Sequence, residues 1–141
     1  MQFHFLNKTL DLKKKKKKKY KSWLKLLAKS HMKKIEHINL IVCTDDYLLE
    51  INRKHLNHDY YTDIITFDLS VNKKLISGDL FISYDRVLEN AIKFQTSPKR
   101  ELRRVVAHGL LHLFGFKDKL AKDKEIMTIM ENKALELWKE V

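Results

Sequence analysis

The chain has little of several residue types, and each shortage excludes a class of protein. Among its 141 residues are one cysteine, one proline and three glycines. A single cysteine, Cys43, excludes an intramolecular disulfide and fits a reducing compartment, so we expect a cytoplasmic protein with no disulfide partner. Cys43 stands in an apolar run of strand length, which favours a small core residue over a nucleophile. So few glycines and prolines argue against a loop-rich or low-complexity chain.

Long apolar runs are also missing. No run approaches the roughly 20 residues that a helix needs to cross a bilayer, which argues against a membrane-spanning protein. The first residues do not resemble a signal peptide, because lysines follow their short apolar stretch and no long apolar region comes after. The length predicts one domain, residues 1–141, with a single hydrophobic core.

Acidic residues are too few to balance the basic ones. The chain has 18 Asp and Glu against 29 Lys and Arg, a net charge of +11. This excess indicates a polyanionic partner, either nucleic acid or an anionic membrane surface. The densest charge is an unbroken lysine run at residues 13–19, where repulsion should leave the segment solvated or frayed. The run is either a solubilising face or, with an RNA partner, a patch that contacts phosphates.

Apolar periodicity predicts an α/β (α+β) fold with one mixed, mostly parallel sheet of about four strands and about five helices. Strands are expected at residues 2–6, 37–43, 62–69 and 78–84. Helices are expected around residues 20–27, 45–56, 85–94, 98–114 and 122–139. The last helix should turn these apolar side chains inward: Ile126, Met130, Ala134, Leu137 and Trp138.

Residues 97–119 carry the clearest chemical pattern. His108 and His112 are four residues apart on a predicted central helix, so both imidazoles lie on one face. Gly115 can take the left-handed conformation that ends a helix, which lets the chain return Asp118 toward the two rings. Two neutral imidazoles and one carboxylate supply three ligands for a divalent metal and leave a position for water. The alternative is a pair of half-buried, hydrogen-bonded histidines and a simple turn aspartate.

One familiar type of metal chemistry is excluded by the residue after the first histidine. Zinc proteases of the HExxH type place a glutamate there as general base, and this chain has Gly109. The glycine could instead let another backbone or a substrate approach the helix closely.

The segment HGLLHLFGFKD resembles the H-G-x-L-H-L-x-G-Y-x-H/D signature of the YbeY endoribonucleases. Two strand segments, YTDIITFDL and SGDLFIS, are similar to the P-T-D-V-L-S-F and G-D-I-x-I-S segments of that family. The helix segment LLEINRKHLN also fits, and order and spacing match from about Ile38 onward.

The resemblance implies a single-strand-specific, metal-dependent endoribonuclease of 16S rRNA 3′-end maturation and ribosome quality control. It implies one Zn²⁺ per chain held by His108, His112 and Asp118, although Mn²⁺ or Ni²⁺ could occupy such a set. Asp118 stands where the family usually has a histidine. The expected partners are ribosomal RNA and the small ribosomal subunit, not a membrane. The attacking group would be water on the metal. No residue can be assigned as general base from the sequence.

Three cations near the signature are candidate RNA contacts: Arg104, Lys117 and Lys119. Each could equally be an ordinary surface charge. The family usually has an arginine six residues before the threonine of its T-D strand, and here that place holds Leu56. A second hypothesis is therefore a ribosome-associated RNA-binding factor with a structural metal and little catalysis. A metallohydrolase of small molecules or peptides is disfavoured by the charge and by the missing glutamate.

Overall fold

The computed structural model describes all 141 residues as a four-stranded sheet with five α-helices around it. In chain order the elements are β1 (Gln2–Phe5), α1 (Lys14–Ser30), β2 (Lys34–Cys43), α2 (Asp45–Leu56), β3 (Ile64–Asp68), β4 (Leu75–Ser83), α3 (Tyr84–Lys93), α4 (Pro98–Leu113), α5 (Ala121–Leu137) and a 3₁₀ turn (Trp138–Glu140). None of these helices combines the length and the apolar character that crossing a membrane requires.

The strand order is β1-β2-β4-β3. Strands β1, β2 and β4 are parallel, and β3 pairs with β4 in the antiparallel sense. The predicted fold class, a mixed and mostly parallel sheet, is therefore confirmed. The central strand β2 buries Ile38, Leu40 and Val42 completely, as expected for a strand covered on the side that faces the helices.

Helix α4 is the element that positions the candidate site. It lies against β3 and β4 on one side and contacts α3 and α5 on the others. The predicted inward side chains are all buried: Leu102, Val105, Val106, Leu110 and Leu113. A helix packed on several sides has a fixed rotation about its axis, so its remaining polar side chains point in a defined direction.

The lysine run was expected to be solvated or frayed. It is largely exposed to solvent, as the first alternative has it, but it is not frayed, because α1 begins at Lys14. The amines of Lys16 and Lys19 lie 5.6 and 4.6 Å from the ring centre of Trp138. The indole of Trp23, one turn further along, is fully buried and donates a hydrogen bond of 2.7 Å to the Ala134 carbonyl. Cation–π contacts and this buried anchor offset the repulsion between neighbouring lysines.

Helix α5 turns only part of its predicted face toward the core. Ala134 and Trp138 are buried as predicted, and Met130 and Leu137 are partly buried. Ile126 is 36% exposed, whereas its neighbour Met127 is buried. The buried residues of α5 and the turn after it are Met127, Glu131, Ala134, Leu135 and Trp138. Glu131 is buried next to the position where Met130 was expected, and its hydrogen-bond partners lie on α4.

Cys43 is a free, fully buried cysteine at the end of β2. Burial, aided by the negative charges of Asp85 and Asp45, raises the pKa of its thiol to about 12. A thiol that stays protonated at neutral pH is a poor nucleophile, so the prediction of a small core residue is confirmed.

Gly78 belongs to β4 and pairs with Asp68 of the antiparallel strand β3. A Cβ atom at this position would lie 2.6 Å from the Phe67 carbonyl oxygen and 2.9 Å from a methyl group of Leu113. Backbone cannot move aside as a side chain can, so Gly78→Ala should lower the free energy of unfolding by about 1–3 kcal/mol. Urea denaturation followed by circular dichroism measures this loss.

Gly109→Ala is the matched control for that substitution. A Cβ there would meet the terminal methyl group of Ile64 at 2.5 Å, which can shift, and alanine favours the helix by about 1 kcal/mol over glycine. We expect a smaller loss for this variant. If Gly109→Ala lowers the free energy of unfolding as much as Gly78→Ala does, the contact with the Phe67 carbonyl does not explain the effect at Gly78.

Candidate metal centre

The end of α4 is shaped so that the chain returns toward the helix. The helix starts with a Ser97 cap and ends at Leu113. Gly115 has φ +107°, a conformation that glycine alone adopts easily. The amide of Gly115 donates to the His112 carbonyl at 2.9 Å, and that of Phe116 donates to the Leu111 carbonyl at 3.1 Å. These bonds satisfy the free carbonyls of the last turn and direct the following residues back along the helix.

The return brings the three predicted ligands together. The Nε2 atoms of His108 and His112 are 3.0 Å apart, and Oδ2 of Asp118 lies 3.2 Å from each. Ligand atoms on a tetrahedral Zn²⁺ with bonds near 2.0 Å are about 3.3 Å from one another. The group therefore could hold a metal ion, with the spacing that such an ion requires.

The hydrogen bonds on the far side of each ring show why a cation suits this place. Nδ1 of His112 is 2.8 Å from the Phe116 carbonyl oxygen, which can only accept, so this nitrogen donates. Nδ1 of His108 is 2.6 Å from Oε2 of Glu131 and donates likewise. When both rings are neutral, each turns an Nε2 lone pair toward the other and toward the Asp118 carboxylate. Three acceptors that face one another need a cation between them.

The pKa of His108 is set by opposing effects. Burial alone would lower it, but the hydrogen bond and charge of Glu131, together with the charges of Asp63 and Asp118, raise the pKa above its ordinary value. A metal binds only the neutral ring, so protons compete with the metal as the pH falls through this raised pKa.

Glu131 belongs to a buried network of charges behind the histidines. Its other oxygen, Oε1, accepts from Nη1 of Arg104 at 3.2 Å. Arg104 also donates to both oxygens of Glu101, at 2.8 and 2.6 Å, and its Nη2 lies 3.7 Å from Oδ2 of Asp63. Glu101 and Glu131 are almost wholly buried, and their charges raise the pKa of Arg104 against the opposing effect of burial. The network therefore fixes the orientation of Glu131 toward His108.

The three candidate RNA contacts differ in how much of each side chain is exposed. Lys117 and Lys119 are exposed on either side of Asp118 in the sequence. Arg104 is turned mainly toward its carboxylate partners, and only 25% of its side chain remains exposed. A contact between Arg104 and a phosphate would have to use that remaining part.

Glu131 was missed by the sequence analysis. A signal was present, because it lies four residues after Met127 and three before Ala134 on what becomes the buried face of α5. A glutamate on an apolar stripe requires a buried partner. The sequence alone does not say that the partner is His108.

The ligands face a cleft of about 260 Å³ whose opposite wall is built by the end of α2 and the loop before β3. Leu56 lines this wall and is 39% exposed. Asn52 is buried and donates through Nδ2 to the Tyr60 carbonyl at 2.9 Å, so the backbone of the loop is held in place.

The same wall presents an exposed aromatic pair. The rings of His58 and Tyr60 stack with their centres 5.2 Å apart, and the Tyr60 hydroxyl lies 3.0 Å from Nδ1 of His58. Tyr60 is 56% exposed although its main chain is anchored. A fixed, exposed aromatic ring in the same cleft as the three candidate ligands offers a surface on which a flat ring can stack.

Comparison with known proteins identifies the family. A model of the endoribonuclease YbeY family matches residues 2–139. The chain belongs to this family. The endoribonuclease YbeY of Cytophaga hutchinsonii is 53% identical over 119 residues, which cover 84% of this chain and 83% of the relative. That of Phocaeicola vulgatus is 52% identical over 122 residues, 86% of this chain and 88% of the relative.

A solved structure shows a similar fold. The solution structure of TM1509 from Thermotoga maritima matches with a TM-score of 0.66 at 28% sequence identity. The match covers 98% of this chain and 90% of that chain. The resemblance inferred from the histidine helix and the two strand segments is thus confirmed.

Proposed function

We propose that this protein is a single-strand-specific, metal-dependent endoribonuclease that acts as one domain of residues 1–141. The observation that carries the proposal is a cluster of three ligand groups, His108, His112 and Asp118, that faces a cleft. Structural zinc sites are closed by four protein ligands, whereas catalytic sites have three and keep one position for water or substrate. The membership of the chain in the endoribonuclease YbeY family supports RNA as the substrate.

Each residue of the centre has a role that follows from its contacts. His108, His112 and Asp118 would hold the ion, for which we propose Zn²⁺. A divalent ion supplies Lewis acidity, which lowers the pKa of water and polarises a phosphoryl oxygen. Glu131 and the Phe116 carbonyl each fix the Nδ1 proton of one histidine, so both Nε2 atoms stay available as ligands. Lys117, Lys119 and the exposed part of Arg104 are proposed to attract the phosphates of the RNA.

We further propose a cellular role in the cytoplasm with ribosomal RNA and the small subunit as partners. The resemblance to the family supports 16S rRNA 3′-end maturation and ribosome quality control as that role. The net charge of +11 supports an RNA partner, since cationic side chains gain affinity by releasing counterions from the phosphates.

Metal analysis combined with cleavage tests the proposed function. Elemental analysis of the purified protein should find about one divalent metal per chain. A single-stranded RNA from the 16S rRNA 3′ region should be cut before chelation, left intact after metal removal, and cut again when the metal is restored. Undiminished cleavage by metal-free protein would overturn the proposal.

The exposed ring of Tyr60 leads to a prediction about the substrate. Tyr60→Ala should weaken the binding of single-stranded RNA about fivefold or more, because stacking of a base on an aromatic ring contributes about 1–3 kcal/mol. The change should appear mainly in KM, while Tyr60→Phe should restore the affinity.

Tyr47→Ala is the control for Tyr60→Ala. Tyr47 is also exposed, at 40%, but does not line the cleft. Its loss should leave KM unchanged. An equal rise in KM in the two alanine variants would contradict a specific role of Tyr60 in RNA binding.

One observation favours the second hypothesis, an RNA-binding factor with a structural metal. Leu56 lines the cleft where the family usually has an arginine, so one cation that could stabilise a phosphate is absent from that wall. A folded His112→Ala protein that binds RNA but does not cleave it would support the enzyme, whereas loss of folding would support a structural metal.

A further inference from the structure

The outer face of α1 carries an uninterrupted line of lysines. Nine of the 17 residues of α1 are lysine and none is acidic. At 100° per residue, a set of five falls within an arc of about 80° and extends about 22 Å along the axis. This set, which we call the lysine stripe, consists of Lys14, Lys18, Lys21, Lys25 and Lys29.

The charges of the lysine stripe are not neutralised within the molecule. All five side chains are exposed. No ion pair of the protein includes any of them. The other lysines at the start of α1 differ, since Lys16, Lys17 and Lys19 lie over aromatic rings of Trp138 or Phe5. Like charges three and four residues apart destabilise a helix, so the stripe is a cost to the free protein.

The C-terminal end of α1 lies beside the loop that completes the metal centre. The ring of His31, directly after α1, is centred 5.3 Å from that of Phe114 and 5.5 Å from that of Phe116. The Phe116 carbonyl accepts the Nδ1 proton of His112. The stripe therefore starts at Lys29 beside the centre and leads away from it.

A second cleft, of about 430 Å³, lies between the segment that follows α1 and the end of α4. Lys33 and Lys73 line one part of it, and His112 and Gly115 line another. His112 also lines the cleft of the metal centre, so the two clefts share a wall. The Lys33 amide donates to the Ala28 carbonyl at 2.8 Å, which folds this segment against the end of α1.

We propose that the lysine stripe is a track for the phosphate backbone of single-stranded RNA, which leaves the metal cleft past Lys33 and Lys73 and continues along α1. The inference rests on the proposed function, because the RNA in the track is the substrate of the metal centre. A chain with one phosphate per nucleotide is complementary to a line with about one free ammonium group per helical turn.

Continuity with the metal centre favours RNA over an anionic membrane as the occupant. A membrane-surface helix also needs an exposed apolar face to insert among the lipids. The large apolar side chains of α1, including Trp23, Leu24 and Leu27, are buried in the core instead. What α1 offers to solvent is charge without an apolar face.

If RNA follows the track, the lysines should increase the affinity for long RNA but not for short RNA. An oligonucleotide of about six nucleotides fills the metal cleft, while one of about twenty reaches the stripe. The test compares both lengths with a variant in which Lys18, Lys21, Lys25 and Lys29 are all replaced by glutamine. The long RNA should bind this variant at least about tenfold more weakly at low salt, and the slope of log K against log salt should shrink by up to about 3. The short RNA should bind and be cleaved as in the natural protein.

A second quadruple variant controls for total charge. Replacing Lys8, Lys93, Lys124 and Lys139 by glutamine removes the same charge from scattered exposed positions. This variant should bind the long RNA nearly as well as the natural protein, and circular dichroism should show both variants folded. Equal loss in the two variants, or no loss in the stripe variant, would overturn the track.

Two further outcomes separate the possible explanations. If the natural protein cleaves neither RNA with metal present, the proposed function fails, whatever the stripe binds. If the stripe variant keeps its affinity for long RNA but no longer sediments with vesicles of anionic phospholipid, the stripe serves a membrane and the RNA track is wrong.

Discussion

RNA cleavage should fall by at least about a hundredfold when Asp118 is replaced by asparagine. Oδ2 of Asp118 is 3.2 Å from Nε2 of both His108 and His112, so the substitution puts a neutral amide where the cluster has a charged ligand. Removing only a hydrogen-bond partner of a ligand costs about 10–100-fold in metal affinity or activity, and removing the ligand itself should exceed that. The measurement is kcat/KM on single-stranded RNA with excess metal, together with the metal retained after dialysis.

Two substitutions make this prediction specific. Asp118→His should recover much of the activity, because an imidazole is the family's usual third ligand and also binds Zn²⁺. Asp123→Asn removes a carboxylate from the first turn of α5, outside the cluster, and should leave cleavage unchanged. An Asp118→Asn protein that keeps its metal and its activity would remove Asp118 from the metal centre.

The parts of the site that follow local rules could be predicted from the sequence. The spacing of His108 and His112 fixes their common face, because helix geometry depends only on neighbours along the chain. The return of Asp118 depends on one glycine, Gly115, whose φ of +107° agrees with the expected helix end. The four strands follow from patterns of the same short range.

The parts that depend on tertiary contacts could not be predicted. Fraying was one of the two states expected for the lysine run, because the repulsion between its charges is local. Its stabilising partner Trp138 lies at the other end of the chain. The buried face of α5 was predicted only in part, because apolar residues occur on several of its faces. The burial of Glu131 depends on partners that lie on α4.

Glu131→Gln should weaken metal binding about 10–100-fold, the range found for carboxylates that hold a ligating histidine. The glutamine keeps nearly the same shape, so the lost quantity is the negative charge that accepts the Nδ1 proton of His108 at 2.6 Å. Without that charge the ring is a weaker base and a weaker ligand. Calorimetric titration with Zn²⁺ at a series of pH values measures the change.

The pH dependence distinguishes this role from simple loss of structure. Burial lowers the pKa of His108 while Glu131 raises it, so the variant should have the lower pKa. Protons then begin to displace the metal at a lower pH in the variant than in the natural protein. The difference in metal affinity should be greatest at alkaline pH and should begin to narrow as the pH falls through the raised pKa of His108, which lies above the ordinary histidine value of about 6.5.

Glu101→Gln is the matched control for Glu131→Gln. Glu101 is also buried and also bonded to Arg104, but it does not contact His108. Its loss should lower the free energy of unfolding, because it leaves a buried guanidinium with fewer partners, and should not move the pH profile of metal binding. If the two variants shift that profile equally, the effect passes through the shared arginine and not through the bond from Glu131 to His108. A shift confined to Glu131→Gln would establish the glutamate as the residue that sets how basic, and therefore how good a metal ligand, His108 is.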